Sequence, residues 1–302
     1  MNDKSGYCSN FNLDASETVA YNNPLFPVYI RYGFLSSYPD YSAVSHWHKD
    51  LEFIRIKKGR MTYNVNGELV ELSEGDGIMV NSRQLHYGFS LEHRECEFIC
   101  VLFSPELLLG NEWFYQNYIE PVVENAQYPY LHLGKEEWSR FILEKTDKLF
   151  SFFTLQPEQG LTYFDLLDEF LLIMKTLYEN LDIKDYRKTK TSNELISLKN
   201  MMTYIEEHFA QRITLENIAS SGDCCKSRCS LLFKKYLRET PMTCTTKLRL
   251  RKSLAALLDS DKSITEIAYE YGFCGVSYYC ETFHKYYGTS PLRYRKEQKE
   301  SE

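Results

Sequence analysis

The sequence lacks the features that would place it in a membrane or outside the cell. No stretch approaches the roughly 18 consecutive apolar residues that a membrane-spanning helix needs. Residues 1–10 are polar and lack the basic-then-apolar pattern of a secretory signal. The nine cysteines are odd in number and follow no framework spacing, which suits a reducing compartment better than a disulfide scaffold. We therefore expect a cytoplasmic protein that does not associate with membranes.

Positive charge is scarce overall, but it is unevenly distributed. The 302 residues carry a net charge of −7. Residues 1–190 hold 18 Lys and Arg against 28 Asp and Glu, whereas residues 191–302 hold 17 against 14. Such asymmetry is typical of an acidic sensor joined to a basic nucleic-acid-binding domain. The length leaves room for two compact domains of that kind.

Residues 28–103 show strand patterns. Asn66-Gly67 between two apolar segments is a strong hairpin signal, because both residues tolerate positive φ. Cys96–Phe103 is apolar almost throughout, as expected if both of its faces are covered. Many short strands at this spacing favour a small barrel or sandwich. The other predicted strands are Glu52–Ile56, Arg60–Val65, Glu68–Leu72 and Ile78–Val80.

Residues 135–181 change to a helical period. The apolar positions recur every three or four residues, at Leu161, Phe164, Leu167, Leu171, Met174, Tyr178 and Leu181. This face either packs on the strands of its own chain or forms a helix–helix seam between two copies. The periodicity favours neither alternative over the other.

The remaining organisation follows from a polar stretch and a second helical region. Residues 182–193 are polar and charged and are predicted to form an exposed linker. We predict an α+β protein of two domains, with an N-terminal β-barrel over 1–134 and an all-α domain over 194–302. Between them lie the helical dimerisation or packing segment, 135–181, and the linker. Ser263 with Glu266 fits the capping-box pattern at a helix start, as does Thr191 with Glu194.

The C-terminal region repeats one pattern at an interval of about 50 residues. Ile213–Ala219 and Ile264–Ala268 each end in an Ile-Ala pair before a turn, and the small alanine lets the next helix cross closely. Phe233 and Phe283 follow their alanines by 14 and 15 residues. These features indicate a duplicated helix-turn-helix. Its two second helices would enter successive major grooves, about 34 Å apart.

Residues 195–295 resemble the DNA-binding domain of the AraC/XylS family of transcription regulators. The resemblance implies binding to double-stranded promoter DNA, an activator that contacts RNA polymerase, a homodimer, and control by a small-molecule effector. It is specific at Ile264-Thr-Glu-Ile-Ala268, Tyr271-Gly-Phe273, Ser277-Tyr-Tyr279, Phe283-His-Lys285 and Gly288-Thr-Ser-Pro291.

The resemblance also implies which side chains contact DNA. Leu231 and Glu281 stand where many members have arginine; leucine can contact a thymine methyl, and glutamate can accept from cytosine. This indicates either an altered, A·T-leaning specificity or weaker base reading that relies on dimerisation or an effector. Glu239 stands where a helix-ending glycine is usual. The base-facing positions are Ser227, Ser230, Leu231, Val276, Ser277 and Glu281. The phosphate-contacting positions are Lys226, Arg228, Lys234, Lys235 and Lys285.

Three cysteines lie at the start of the second helix of the first predicted helix-turn-helix, at positions 224, 225 and 229. A redox or zinc role is conceivable, because a helix N-terminus lowers the pKa of a thiol. No fourth ligand is near in sequence, so buried packing is the favoured interpretation.

His46, His48, Glu52 and His86 resemble the metal-binding motifs of cupins. Residues 46, 48 and 52 share parity, so on one strand all three point into the barrel. The resemblance implies a cupin, or jelly-roll, barrel with flanking helices and an effector pocket lined by these four residues. Three histidines and one carboxylate suit a divalent metal such as Fe, Mn, Ni or Zn. A metal-free polar pocket is the alternative.

Two other functions compete with a regulator. One is a metal-dependent cupin enzyme, and the other is a partner protein that does not bind DNA, suggested by Leu231 and Glu281. Aromatic residues make up 15% of the chain, which is compatible with a sugar as the effector. We expect a regulator and not an enzyme.

Overall fold

The computed structural model describes residues 10–11, 16–23, 25–154, 163–183 and 193–299. The chain divides into two compact units, one formed by the described residues up to 183 and the other by those from 193 onward. The predicted linker lies almost wholly outside the described residues, as do Leu161 and Thr191. Within the described ranges, no helix is both long and apolar enough to cross a membrane.

The first unit is built on one main sheet. Its strand order is β3-β8-β4-β6-β9, and β5 and β7 each pair with β4 as well. In the described part of the chain this path is open, with β3 and β9 at its ends. The strands are β1 Asn10–Phe11, β2 Glu17–Thr18, β3 Val28–Phe34, β4 Leu51–Val65, β5 Glu68–Ser73, β6 Gly77–Val80, β7 His86–Phe89, β8 Cys96–Phe103 and β9 Tyr130–Leu133.

Strand β4 merges two predicted strands and bends between them. Its register with β8 shifts between Ile56 and Lys58. An extra residue in one strand reverses which side chains face the core beyond it. Ile54 and Ile56 therefore share an interior cluster with the odd-numbered Met61 and Tyr63. The predicted hairpin at Asn66-Gly67 is present, and both residues have positive φ.

The opposite face of the main sheet is covered by helices. Phe103 on β8 lies 4.3 Å from Phe170 between ring centroids, and both are fully buried. The prediction that both faces of Cys96–Phe103 are covered is confirmed, since its residues divide between two core clusters. The helices are α1 Glu112–Phe114, α2 Glu120–Val123, α3 Glu137–Thr154 and α4 Tyr163–Asn180, with a π-helical segment Tyr115–Ile119 between α1 and α2.

Most of the predicted stripe on α4 and just beyond it lies at the core: Met174 and Leu181 are buried there, and Leu167, Leu171 and Tyr178 pack against it. Packing on the chain's own sheet is observed, but the face centres on Phe170, Ile173 and Leu177. Phe164 was placed on the stripe and is instead 79% exposed. The buried face is therefore rotated from the centre of the predicted stripe, and Phe164 falls outside it.

The second unit is all helical, as predicted. It repeats its turn geometry closely: the Cys224 amide donates to the Ala219 carbonyl over 3.1 Å, and the Phe273 amide donates to the Ala268 carbonyl over 2.9 Å. The capping box at Ser263 is present. The helices are α5 Asn193–His208, α6 Leu215–Ser221, α7 Lys226–Leu237, α8 Pro241–Asp259, α9 Ile264–Glu270, α10 Val276–Tyr287 and α11 Pro291–Lys299.

Each helix-turn-helix has an arginine that donates hydrogen bonds to a backbone carbonyl at or near the end of a neighbouring helix. Arg249 on α8 donates to the carbonyl of Phe209 over 2.7 Å, just beyond the end of α5. Arg295 on α11 donates to the carbonyl of Leu257 over 2.7 Å, near the end of α8. Carbonyls at a helix end have no intrahelical donor, so each guanidinium satisfies one and fixes the approach to the next helix.

The second helix of each helix-turn-helix, α7 in one and α10 in the other, ends in the same way. Arg238 and Gly288, 50 residues apart, both have left-handed backbone, with φ of 57° and 75°. The prediction that Glu239 occupies the helix-ending glycine position is therefore wrong by one residue. The non-glycine residue in this conformation is strained, because its β-carbon crowds the carbonyl.

We expect Arg238→Gly to stabilise the second unit and Gly288→Ala to destabilise it, each by about 1 kcal/mol. Calorimetric unfolding of the full chain measures both changes. Lys234→Gly, inside α7, is the control and should destabilise, because glycine lowers helix stability there. An Arg238→Gly protein that unfolds at a lower temperature than the unaltered chain would contradict the assignment.

Candidate effector pocket and nucleic-acid interface

The structure brings the four predicted pocket residues together. His46 and His86 pair across two chain segments, with backbone hydrogen bonds of 3.1 and 2.8 Å in both directions. His48 follows two residues after His46, and Glu52 lies on β4. One donor atom from each of the four side chains lies within 4.8 Å of the others, and all four residues are buried.

The backbone fixes the orientation of every histidine ring. Nδ1 lies 2.7 Å from the Val44 carbonyl in His46, 3.1 Å from the Asp50 carbonyl in His48, and 2.8 Å from the carbonyl of residue 84 in His86. A carbonyl oxygen can only accept, so each Nδ1 carries the proton. In a neutral ring Nε2 then carries a lone pair, and in a protonated ring it carries a second N–H; the Nε2 atoms of His48 and His86 face Glu52.

Glu52 lies between these nitrogens without closing on them. Its Oε2 is 3.7 Å from Nε2 of His48, and its Oε1 is 3.5 Å from Nε2 of His86. Neither nitrogen makes a hydrogen bond to any described residue. Burial alone would raise the pKa of Glu52, but the positive charge of His86 and His48, when their rings are protonated, holds it well below its usual range. The carboxylate is therefore ionised.

Two interior neighbours of Glu52 were not predicted from the sequence. The hydroxyl of Tyr63 donates to Oε1, and the Sγ of Cys100 lies 4.0 Å from Oε2. Burial, and then the charge of Glu52, raise the pKa of both groups well above their usual values, so both stay protonated. Tyr63 has odd parity and was hidden by the register shift near Lys57, which brings it to the same side as Glu52.

A second carboxylate was also missed. Glu17 on β2 places Oε2 3.2 Å from Nε2 of His46, and both side chains are largely buried. The segment around Glu17 has no strand pattern that would have placed it beside the histidines.

The donors of the cluster fit a metal ion. Ligands on opposite sides of an ion with bonds of about 2.1 Å are about 4.2 Å apart, close to the observed spread. Proton-bearing Nδ1 atoms bonded to carbonyls leave Nε2 as the ligand, as is usual for metal-binding histidines. Within the described ranges, this is the one group of histidines, cysteines and acids whose donors converge in this way.

The predicted base-facing residues lie on matching faces of α7 and α10. Ser227 on α7 and Ser277 on α10 are exposed at equivalent positions. One turn later, Leu231 and Glu281 are exposed on the same two helices. Leu231 is 53% exposed. Ser230 and Val276 are half-buried at the edge of the same faces.

Three of the predicted phosphate-contacting cations are paired with acids of the same unit. Lys226 lies 3.3 Å from Glu216. Glu194, in the first turn of α5, pairs with Arg228 and, over 2.6 Å, with Lys235. Lys234 and Lys285 are exposed on the outer sides of α7 and α10.

Glu194 is strongly held by these contacts. Hydrogen bonds from Lys235 and Tyr236, together with the charge of Arg228, lower the pKa of Glu194 to about 2. The carboxylate is therefore charged throughout the range in which proteins bind DNA. The capping pattern predicts only a helix start at Glu194, because its contacts with α7 lie 34 and more residues away along the chain.

The cysteines of α7 do not form a ligand set. Cys229 is buried, Cys224 is half-buried and Cys225 is exposed. Burial raises the pKa of Cys229 to about 11 and also raises that of Cys224, so both are thiols at neutral pH. For Cys229, packing is the supported interpretation.

Both units match known protein families. A cupin domain model matches residues 37–102, and a helix-turn-helix domain model matches residues 223–297. Among solved structures, ToxT from Vibrio cholerae has a TM-score of 0.44 at 12% identity, covering 89% of this chain and 98% of that one.

Relatives match along most of the chain. The melibiose operon regulatory protein of Escherichia coli K12 is 22% identical over 266 residues, 85% of each chain. The uncharacterized HTH-type transcriptional regulator YdeC of Bacillus subtilis strain 168 is 32% identical over 255 residues, 83% of this chain and 85% of YdeC. With this relative and the two domain matches, the chain belongs to the AraC family of helix-turn-helix transcription regulators that carry a cupin domain.

Proposed function

We propose that this regulator reads DNA with α7 and α10 under the control of a small molecule bound at the histidine cluster. The observation that carries the proposal is the shared exposure pattern of the two helices. In each, one face packs on its own unit and the other presents a serine and, one turn later, a longer side chain. Such a face fits the major groove of DNA, where base edges differ in their donors and acceptors. Chromosomal DNA as the partner places this action in the cytoplasm.

Selection of bound sites from a random DNA pool by the full chain tests the reading function. We expect a site with two elements about one helical turn, ~34 Å, apart. Glu281→Gln should change one preferred base, because glutamate accepts from cytosine whereas glutamine pairs with adenine. The expected change in discrimination is roughly 1–3 kcal/mol.

Glu297→Gln, the same change on α11, is the matched control and should select the unaltered site. If no site is enriched at low or high salt, base reading by these helices is disproved. The partner-protein alternative would then gain support.

Glu194 is proposed to compete with DNA phosphates for Arg228 and Lys235. Both cations are needed at the backbone if the family positions apply, and both are paired with one carboxylate in the structure. Binding to DNA then exchanges an internal ion pair for a phosphate contact, which lowers the net gain. This acid therefore sets how strongly α7 engages DNA.

Glu194→Gln should raise DNA affinity and steepen its salt dependence, by at most about two units of log–log slope for two cations. Fluorescence anisotropy over a salt series measures both quantities. Glu207→Gln removes an exposed acid from the same helix and controls for overall charge. Equal effects of the two substitutions would show that Glu194 does not compete.

The histidine cluster is proposed to bind a divalent transition metal within the effector site. Support comes from the three Nδ1–carbonyl hydrogen bonds and the two unsatisfied Nε2 atoms beside Glu52. When bound, such an ion supplies a positive centre that attracts an oxygen or nitrogen of the effector. The chain's own residues hold the rings in place and exclude water. We propose a binding role and not catalysis, in keeping with relatives named as regulators.

Elemental analysis of the purified full chain should find about one divalent transition-metal ion per chain, and His86→Ala should lose it. His93→Ala, an exposed histidine on a turn, is the control and should keep the ion. A metal-free protein that still responds to its effector would instead support the polar pocket.

A homodimer through the outer side of α4 is also proposed. Phe164 is 79% exposed and Leu172 is 37% exposed on that helix, which favours contact with a second copy. A dimer would select two copies of the paired element from the same random DNA pool. Contact with RNA polymerase follows from the family resemblance.

A further inference from the structure

The short strand β2 holds a second carboxylate against the cluster through its backbone. The Glu17 amide donates to the Trp47 carbonyl over 2.8 Å, between His46 and His48 in sequence. Ser16 also bridges to Trp47. The 3.2 Å separation between Glu17 Oε2 and His46 Nε2 is therefore set by main-chain pairing as well as by the side chains.

The charge of a divalent ion is not balanced by the four cupin-motif residues alone. The three histidines have their protons on Nδ1 and donate a neutral lone pair, and Glu52 supplies one negative charge. A doubly charged ion would leave one positive charge among side chains that are almost fully buried, and an uncompensated buried charge is costly. Glu17 supplies a second negative charge: its Oε2 is 3.2 Å from His46 Nε2, although it is not one of the four donors that lie within 4.8 Å of one another.

We propose that Glu17 is a fifth ligand of a divalent transition-metal ion held by His46, His48, Glu52 and His86. This inference rests on the proposed metal binding at the cluster. The chemistry is a mixed set of three imidazoles and two carboxylates, which suits Mn, Fe, Ni or Zn. Because β2 pairs only with β1 and the Trp47 segment among the described residues, a ligand on β2 ties the start of the chain to the sensor unit.

Zinc affinity of the full chain, stripped of metal and titrated against a competing chelator, tests the assignment. Glu17→Gln keeps the size of the side chain and removes its charge, and it should weaken zinc binding by at least about tenfold. Glu17→Asp should fall between the two. Glu74→Gln, the same change on an exposed turn, should bind zinc as the unaltered chain does.

Hydrogen exchange of the Glu17 amide gives a second measurement that does not depend on regulation. Zinc should slow exchange of this amide in the unaltered chain, because the ion holds the strand in place. In Glu17→Gln, zinc should leave the exchange rate unchanged even at saturation.

The outcomes separate this inference from the proposed metal site. If the unaltered chain binds zinc, His86→Ala does not, and Glu17→Gln binds as tightly as the unaltered chain, the fifth ligand is disproved and the four-residue site stands. If neither zinc nor manganese binds the unaltered chain, both proposals are overturned. Weakened zinc binding in Glu17→Gln with loss of the exchange effect supports the fifth ligand.

Discussion

The first unit depends on the pairing of β4, which forms hydrogen-bonded ladders with four other strands. Its first half lies in the main sheet beside β6 and β8, and its second half pairs with β5 and β7. The register shift near Lys57 allows one strand to serve both, because it bends the chain and reverses the facing of side chains. Glu52 and Tyr63 meet inside the unit for this reason, although their numbers differ in parity.

Contacts with nearby backbone carbonyls, and not a network of side-chain hydrogen bonds, order the three histidine rings of the cluster. Each imidazole is oriented by a carbonyl no more than two residues away along the chain. Local orientation of this kind costs little conformational entropy, because each carbonyl lies only two residues from the ring that it orients. The lone pairs then converge where the carboxylate of Glu52 lies, and the interior hydroxyl and thiol stay neutral around it.

Sequence patterns predicted most of this architecture, and the failures have identifiable causes. The hairpin at Asn66-Gly67 and the repeated helix-turn-helix follow from local rules, since turn chemistry and an Ile-Ala pair act within a few residues. Most of the stripe predicted for α4 lies at the core, but periodicity could not choose between the chain's own sheet and a second copy, because an apolar helical face does not specify its partner.

Contacts between distant segments were the hardest to foresee. Glu17 reaches the pocket from a two-residue strand, and Glu194 reaches α7 from another helix, so no spacing rule connects either to its site. The four cupin-motif residues were found because their pattern lies within two short stretches. Their meeting in space then depended on pairing between residues 46 and 86, which a sequence pattern alone does not give.

The helices α7 and α10 are alike in length and packing but differ in the side chains that they expose. Where α7 presents Leu231, α10 presents Glu281 at the position 50 residues later. Because α7 and α10 expose different side chains, a single chain bound along a duplex would be asymmetric and could distinguish the two orientations of its site. If α7 and α10 both read DNA as proposed, the polarity of the bound protein along the duplex follows from one polypeptide, before any second copy is added.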